Sequence, residues 1–252
     1  MSDQQPLTDI VAEARRLMDA AAQRDVPVRL LGGLAIRLGI PDPQGPVIPR
    51  EYKDIDLATV RGQGKGVAAF MEDMGYEGDR AFNATNGHSR LLFWDVANSR
   101  QVDVFVGSFE MCHVIPIADR LLVDGVRIPL AELLLTKLQV VELNAKDQSD
   151  IATILFHHDL ADDDAGHINA GRVAKLCAAD WGLWRTSKLN VERVREGLGT
   201  SGLSPEQQAV VADRLDRLWQ RVEGEPKPRK WKLRNRVGDK MRWYEEPEEV
   251  AQ

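Results

Sequence analysis

One short acidic segment, Lys53-Asp54-Ile55-Asp56-Leu57, constrains the fold more than any other stretch of this chain. The run from Ile55 to Val60 has the pattern of a strand, and side chains on a strand alternate between its two faces. Asp54 and Asp56 are therefore expected to point to the same face. Two like charges held that close repel each other, so such a pair normally needs a cation between them or shares a proton. We expect a divalent metal ion at this position.

A diglycine precedes this segment in the sequence. Residues 28–31 form an apolar run typical of a buried strand, and residues 34–38 have a helical pattern. Between them, Gly32 and Gly33 allow a tight turn and a close approach of the backbone to a ligand. The free N–H groups at the start of such a helix favour an anion such as phosphate. Metal-binding carboxylates beside a phosphate cradle are what phosphoryl or nucleotidyl transfer requires.

The composition is that of a globular protein. The chain has 252 residues, 43% of them hydrophobic, which is enough for one large domain or two small ones. Its net charge of −6 argues against a surface that binds nucleic acid everywhere, although local basic stretches can still do so. Cys112 and Cys177 lack the spacing of a metal site or a disulfide framework, so we expect buried thiols. The sequence has no secretory signal pattern and no run of membrane-spanning length, so we expect a cytoplasmic protein with no membrane partner.

The order of patterns predicts an α+β (α/β-like) fold with a small mixed β-sheet flanked by helices. The runs 91–94 and 102–106 flank Ala97-Asn98-Ser99-Arg100 and are typical of a hairpin. Residues 126–128 are predicted to form an edge strand. Two helices are predicted to follow, Leu130 to Lys146 and another from about Gln148. Residues 39–53 contain four prolines and two glycines and are predicted to be a loop.

The last third of the sequence has a helical pattern. We predict a helical domain over residues 161–224, whose last helix begins at the capping box Ser204-Pro205-Glu206-Gln207. Residues 225–252 form a basic tail with Trp231 and Trp243. Cations interleaved with indoles are typical of nucleic-acid binding. The tail could equally be a charged terminus whose tryptophans pack on the helical domain, and the sequence leaves both readings open.

A third acid completes the predicted metal site. Asp103 lies on the second strand of the hairpin among Val and Phe, where an ionised carboxylate is costly unless it is paired or ligated. With the diglycine and Asp54-Ile55-Asp56, this pattern resembles the nucleotidyltransferases of the DNA polymerase beta superfamily. Arg50, Lys137 and the acids Asp147 and Asp150 make it most similar to the AbiEii-like nucleotidyltransferases of type IV toxin–antitoxin systems.

The resemblance covers about residues 28–155 and implies a catalytic domain over residues 1–160. By that analogy Asp54, Asp56 and Asp103 hold two Mg²⁺ ions, for which Mn²⁺ can substitute. Gly32 and Gly33 cradle phosphates. Lys137 neutralises the triphosphate and counts among the catalytic residues. The implied nucleotide-binding set consists of Gly32, Gly33, Lys53, Lys137 and Asp147.

The function implied by the resemblance is transfer of a nucleoside monophosphate from a nucleoside triphosphate to an acceptor hydroxyl, with release of pyrophosphate. The acceptor would be an RNA such as tRNA, reached through the basic tail, or a protein. A toxin of this group would also have an antitoxin partner. Two alternatives stay open: an antibiotic nucleotidyltransferase, and a nucleotide-binding module without turnover. His157, His158, Asp159 and the acids 162–164 are taken as a solvated loop, and Arg90 as a surface arginine.

Overall fold

The structure is a computed structural model that describes residues 5–40 and 44–246. Its fold is mixed α+β, with a five-stranded sheet, flanking helices and a helical C-terminal region, which confirms the predicted fold class. The chain forms two compact units. Unit 1 comprises Met1–Gly45, Arg50–Phe109 and Pro116–Pro129, and unit 2 comprises Pro46–Pro49, Glu110–Ile115 and Leu130–Gln252. Part of the predicted proline-rich loop, residues 41–43, lies outside the described residues.

Unit 1 is built on the five-stranded sheet. Its strands are β1 (Val28–Leu31), β2 (Ile55–Thr59), β3 (Glu77–Gly78), β4 (Arg90–Asp95) and β5 (Arg100–Val106). Its helices are α1 (Ile10–Gln23), α2 (Gly32–Leu38), α3 (Gly64–Asp73) and α4 (Arg80–Asn86). The short strands β6 (Ser108–Glu110) and β7 (Val114–Pro116) carry the chain between the units, and Ala118–Arg120 is a 3-10 turn.

The strand order β1-β2-β5-β4-β3 brings together strands that are distant in sequence. All neighbouring strands are antiparallel except β2 and β5, which run parallel at the centre of the sheet. The side chains of Ile55, Leu57, Val102 and Val104 on this central pair are completely buried. Asp56 and Asp103 are thus carried by two strands whose apolar side chains lie in the buried core of unit 1.

The local predictions in unit 1 have mixed outcomes. The predicted hairpin is present as β4 and β5. The predicted edge strand at residues 126–128 is wrong, because Arg127 forms only an isolated parallel bridge to Leu30. Val126 and Ile128 do bond to the backbone of Leu30, so the segment still covers the free edge of β1.

Unit 2 is mainly helical. Its elements are α5 (Leu130–Leu138), α6 (Ala145–His157), β8 (Leu160–Ala161), β9 (Ile168–Asn169), α7 (Ala170–Ala179), α8 (Trp181–Gly197), α9 (Pro205–Gly224) and α10 (Arg229–Val237). Leu198–Thr200 and Gly238–Lys240 are 3-10 turns. The capping box that starts α9 is present as predicted. The predicted domain limits at residues 160 and 224 stay predictions. In the structure, α5 and α6 belong to the same compact unit as the C-terminal helices.

The predicted single helix from Leu130 to Lys146 is wrong. The chain leaves the helix after Leu138 and begins α6 at Ala145. Asn144 has an extended backbone, and its side chain accepts a hydrogen bond from the N–H of Asp147 at 3.0 Å. Asn144 is therefore the N-cap of a separate helix, because an N-cap residue satisfies a free N–H group of the first turn.

The structure describes the basic tail as far as Glu246. Its residues 229–237 form α10, and Trp231 is only 8% exposed. Trp231 Nε1 donates to the carbonyl of Cys177, and Trp243 Nε1 donates to the hydroxyl of Thr186. The reading in which the tryptophans pack back on the helical part of the chain is thus correct for these two residues. Within the described residues, no helix combines the length and apolar character that crossing a membrane requires.

Candidate functional site

Asp56 and Asp103 lie side by side in the centre of the sheet of unit 1. Asp56 on β2 and Asp103 on β5 are Cα partners across the parallel pair, so both side chains leave the same face of the sheet. Asp103 is 4% exposed and Asp56 is half-buried. The sequence predicted that these two acids converge, and the register of the strands brings them together.

Two side chains on the same face hold Asp103 in place. Arg90 Nε donates to Oδ1 at 2.7 Å, and Gln101 Nε2 donates to Oδ2 at 2.7 Å. The guanidinium of Arg90 also lies against the ring of Phe105, 5.2 Å from its centroid. The expectation that Arg90 is only a surface arginine is wrong, because it forms an ion pair with a buried carboxylate. The two hydrogen bonds thus fix the orientation of the Asp103 carboxylate.

The sequence contained a signal for these two partners. Gln101 lies two residues before Asp103 on one strand, so alternation places the two on one face. Arg90 lies two residues before Leu92, which is the antiparallel partner of Asp103. Diagonal cross-strand neighbours of this kind are within reach of a long side chain. The register of the hairpin was needed to identify Arg90, and the pattern alone did not supply it.

Gly32 lies directly against Asp56. Its φ of +66° is in the left-handed region, and a Cβ atom added to Gly32 would be 2.1 Å from Oδ2 of Asp56. The glycine is therefore required twice, for its backbone conformation and for the space that the carboxylate occupies. Gly32 is the first residue of α2, so the two glycines open the helix and do not form a separate turn before it.

Gly33 is also closely packed. An added Cβ atom would be 2.8 Å from Nη2 of Arg50 and 3.1 Å from Cδ1 of Tyr52. The guanidinium of Arg50 lies over the ring of Tyr52, 4.8 Å from its centroid. Arg50, which belongs to the family pattern, and Tyr52 thus cover the diglycine, at the end of the sheet where the acids lie.

Asp54 and Lys53 immediately precede β2 and are both exposed. Asp54 is two residues before Asp56, which is the spacing that places both carboxylates on one face of an extended chain. Across residues 5–40 and 44–246, no three His, Cys, Asp or Glu side chains are grouped as a metal site requires. The assignment of Asp54, Asp56 and Asp103 as metal ligands stays a prediction.

The carboxylates that the structure does bring together fit a magnesium ion. Mg²⁺ is typically held by one or two protein carboxylates together with phosphate oxygens and water. Asp56 and Asp103 supply two hard oxygen ligands on one face. Each oxygen of Asp103 accepts one hydrogen bond from the side chains around it, and a carboxylate has about four lone-pair positions in all. Capacity for a cation therefore remains.

Lys137 and Asp147 lie in unit 2, where they belong to a buried ionic cluster. Lys137 Nζ is 3.0 Å from Oδ1 of Asp147 and 3.0 Å from Oδ2 of Asp150. Burial alone would lower the pKa of Lys137, but the charges of Asp150 and Asp147 and hydrogen bonds to both outweigh it and raise that pKa. Lys137 is therefore a fixed cation. Its predicted role, and that of Asp147, stay predictions.

His157, expected in a solvated loop, is instead the last residue of α6, whereas Asp159, Asp162 and Asp163 lie in the loop that follows and are exposed. His158 Nδ1 faces the carbonyl of Gly166 at 3.1 Å, and His167 Nδ1 lies 3.0 Å from Oδ1 of Asp163. The pKa of Asp163 is lowered, first by the hydrogen bond from His167 and then by the N–H of Ala165. These contacts are local to the loop.

The sequence was also compared with models of protein families and with curated proteins. No family model matches the chain, and no curated protein matches it.

Proposed function

We propose that this chain is a metal-dependent nucleotidyltransferase, which moves a nucleoside monophosphate from a nucleoside triphosphate to an acceptor hydroxyl. The observation that carries the proposal is the pairing of Asp56 with Asp103 across β2 and β5, with Gly32 packed against the carboxylate of Asp56. Such a pair gives two candidate metal ligands on one face of the sheet, beside the start of α2. The resemblance of the motifs to the AbiEii-like nucleotidyltransferases supports the same reaction.

In the proposed reaction the acceptor oxygen attacks the α-phosphorus as the bond to the pyrophosphate oxygen breaks. The acceptor hydroxyl gives its proton to solvent water, and pyrophosphate leaves with the electron pair of the broken bond. When bound, Mg²⁺ supplies charge neutralisation for the triphosphate and orients it. Asp56 and Asp103 would hold the ion, with Asp54 as the third predicted ligand.

The remaining residues of unit 1 position these carboxylates. Arg90 and Gln101 fix the plane of Asp103, so its lone pairs need no reorganisation when a ligand arrives. Gly32 has no Cβ atom, so the carboxylate of Asp56 can lie directly against the backbone at the start of α2. Preorganisation of this kind is the main contribution that a protein makes to phosphoryl transfer.

A second candidate function is supported by the ion pair itself. Arg90 already neutralises Asp103, so Asp54 and Asp56 could hold the metal ion of a metal-bound nucleotide without its turnover. The two functions differ in one measurable respect, since only the first forms a covalent bond to an acceptor. The antibiotic nucleotidyltransferase uses the same chemistry and differs only in its acceptor.

The test is incubation of the purified protein with each α-³²P-labelled nucleoside triphosphate, Mg²⁺ and total RNA. Parallel reactions replace the RNA with protein extract or an aminoglycoside panel. Asp56→Asn and Asp54→Asn should abolish transfer of label. Asp73→Asn, which changes an exposed acid of α3, is the matched control and should leave it unchanged. Nucleotide binding without transfer to any acceptor would favour the second candidate, and absence of both would reject the proposal.

The toxin role is part of the same proposal and has its own test. Expression of the wild-type chain should slow growth of the host cells, and Asp56→Asn should relieve the effect. Co-expression of the gene that neighbours it should also relieve the effect if that gene encodes an antitoxin. Equal toxicity of the wild type and the variant would remove the link between transfer and growth.

A further inference from the structure

An aromatic cleft lies within unit 2, between residues of α8, α9 and α10. Its volume is about 770 Å³, which is the size of a small-molecule site. Trp184 and Trp219 stack with their ring centroids 6.4 Å apart and their planes inclined by 29°, and Trp231 meets Trp184 edge-on at 4.9 Å. Trp184 and Trp231 are each 8% exposed, whereas Trp219 is half-buried. The cleft thus has a buried aromatic floor and one accessible indole.

Lysine side chains already lie over this floor. Lys188 Nζ is 5.4 Å from the ring centroid of Trp184, and Lys227 Nζ is 5.9 Å from that of Trp231. A cationic ligand would be repelled by these ammonium groups, although an aromatic cage without them would favour one. The lining carries four cations, Lys188, Arg195, Lys227 and Lys232, and three acids, Glu192, Glu223 and Glu225. Arg195 pairs with Asp216 and Glu225 pairs with Arg221, which leaves three cations and two acids. The charge of the cleft favours an anion.

The helix α10 extends this positive surface. Eight lysines and arginines lie between Lys227 and Arg242 with only one acid, Asp239, in a chain whose net charge is −6. Trp231 on α10 faces the protein, and Lys232 and Asn235 line the cleft. Four exposed cations on α10 make no ion pair with any residue in the described part of the chain: Arg229, Lys230, Lys232 and Arg236. Lys232 therefore lines the cleft with Trp219, and Arg229 and Arg236, three and four residues away on α10, share its face of the helix.

We infer that this surface binds single-stranded RNA. A base stacks on Trp219 within the cleft, and the phosphates that flank it contact Lys232 and the other exposed cations of α10. Indole stacking combined with a positive groove is how proteins bind single strands with little sequence preference. The choice of RNA rests on the proposed function, in which RNA is an acceptor of the nucleoside monophosphate. Binding itself needs neither a nucleoside triphosphate nor transfer, so the two proposals can fail separately.

Binding is measured by fluorescence anisotropy with a fluorescein-labelled 12-nucleotide uridine oligomer, without Mg²⁺ or nucleotide. The full-length protein carries Asp54→Asn and Asp56→Asn, so that no transfer can contribute. The logarithm of the affinity should fall linearly with the logarithm of the salt concentration, and replacing one phosphate contact by Lys232→Gln should reduce that slope by about 0.7. The exposed Lys175 of α7 offers the matched control, since Lys175→Gln should leave the slope unchanged.

Trp219 tests the stacking step. Trp219→Ala should weaken binding by about 5- to 100-fold, and Trp219→Phe should weaken it less because a ring remains. Circular dichroism checks that both variants are folded. If Trp219→Ala does not fold, the affinity of Trp219→Phe and the salt dependence of Lys232→Gln test the inference. The inference is overturned if the wild-type chain does not bind the oligomer, or if the Trp219 and Lys232 variants bind it as the wild type does. Tighter binding of a duplex, of a DNA oligomer or of polyglutamate would overturn it as well.

Discussion

The α-carbon of Gly32 and the carboxylate of Asp56 are packed so closely that a Cβ atom on the glycine would be 2.1 Å from Oδ2. Gly32→Ala therefore combines a clash with the cost of a positive φ, which is about 1–2 kcal/mol for a residue with a side chain. We expect this variant to lower the free energy of unfolding and to reduce nucleotidyl transfer by about tenfold or more, since the displaced carboxylate loses its geometry.

Gly62→Ala is the control for that substitution. Gly62 has a φ of +84°, and an added Cβ atom would have no neighbour within 4 Å. The two variants share the backbone strain and differ in the clash. Urea unfolding and the transfer assay should show a larger loss for Gly32→Ala in both measurements. Equal losses of stability and of transfer activity in the two variants would mean that the contact with Asp56 contributes to neither.

The ion pair between Arg90 and Asp103 should be measurable as a coupling energy. The carboxylate side chain is 6% exposed and the guanidinium side chain 27% exposed, so solvent screens the pair only in part. A double-mutant cycle with Arg90→Met and Asp103→Asn should give a coupling of about 1–2 kcal/mol in urea unfolding. The same cycle at the exposed pair of Arg24 and Asp73 should give less than about 0.5 kcal/mol. Similar values for both pairs would contradict the assigned role of Arg90.

Lys137→Met should be strongly destabilising, by about 3 kcal/mol, because it leaves Asp147 and Asp150 buried without their cation.

The stabilisation that Lys137 provides should depend on pH in one direction. The pKa of Lys137 is raised in the folded state above its ordinary value of 10.5, so its stabilisation is complete below that value and is lost as the pH rises through the folded pKa. The difference in unfolding free energy between wild type and variant should be constant from about pH 7 to 9 and shrink at higher pH. A difference that grew with pH would contradict this assignment.

Tyr76→Phe tests a buried polar contact in unit 1. Tyr76 donates from its hydroxyl to Oε1 of Glu13 at 2.5 Å, and Glu13 is completely buried. Burial, followed by the hydrogen bond and the charge of Glu13, raises the pKa of Tyr76. Removal of the hydroxyl should cost about 1–2 kcal/mol in thermal or urea unfolding. Tyr244→Phe is a useful comparison, because the hydroxyl of Tyr244 bonds to no residue that the structure describes, and its cost should be close to zero.

Much of the fold could be predicted from local patterns. Alternation identified β4 and β5, and the capping box at Ser204 identified the start of α9, because both signals are contained in a few adjacent residues. The break between α5 and α6 escaped prediction because the apolar pattern continues across it. Gln139, the first residue after α5, turns its side chain to the backbone N–H of His113, a partner that no local pattern reveals.

In the candidate site, too, local patterns predicted some features, and others depended on residues distant in sequence. The prediction that Asp54, Asp56 and Asp103 converge came from strand alternation and from the family resemblance, and the structure shows the pairing of Asp56 with Asp103. The partners of Asp103 depended on the register of the hairpin, and Arg90 was misjudged for that reason. Trp231 shows the same limit, since its partner, the carbonyl of Cys177, is distant in sequence.

The parallel pairing of β2 with β5 also bears on the order in which the molecule assembles. The hairpin of β4 and β5 closes over a short connection, so Arg90 and Asp103 can meet while the chain is still largely unfolded. Asp56 reaches Asp103 only through a crossover that must close a much longer loop. We therefore expect folding to bring the second carboxylate to a partner that its arginine has already neutralised, which lowers the electrostatic barrier to completing the sheet.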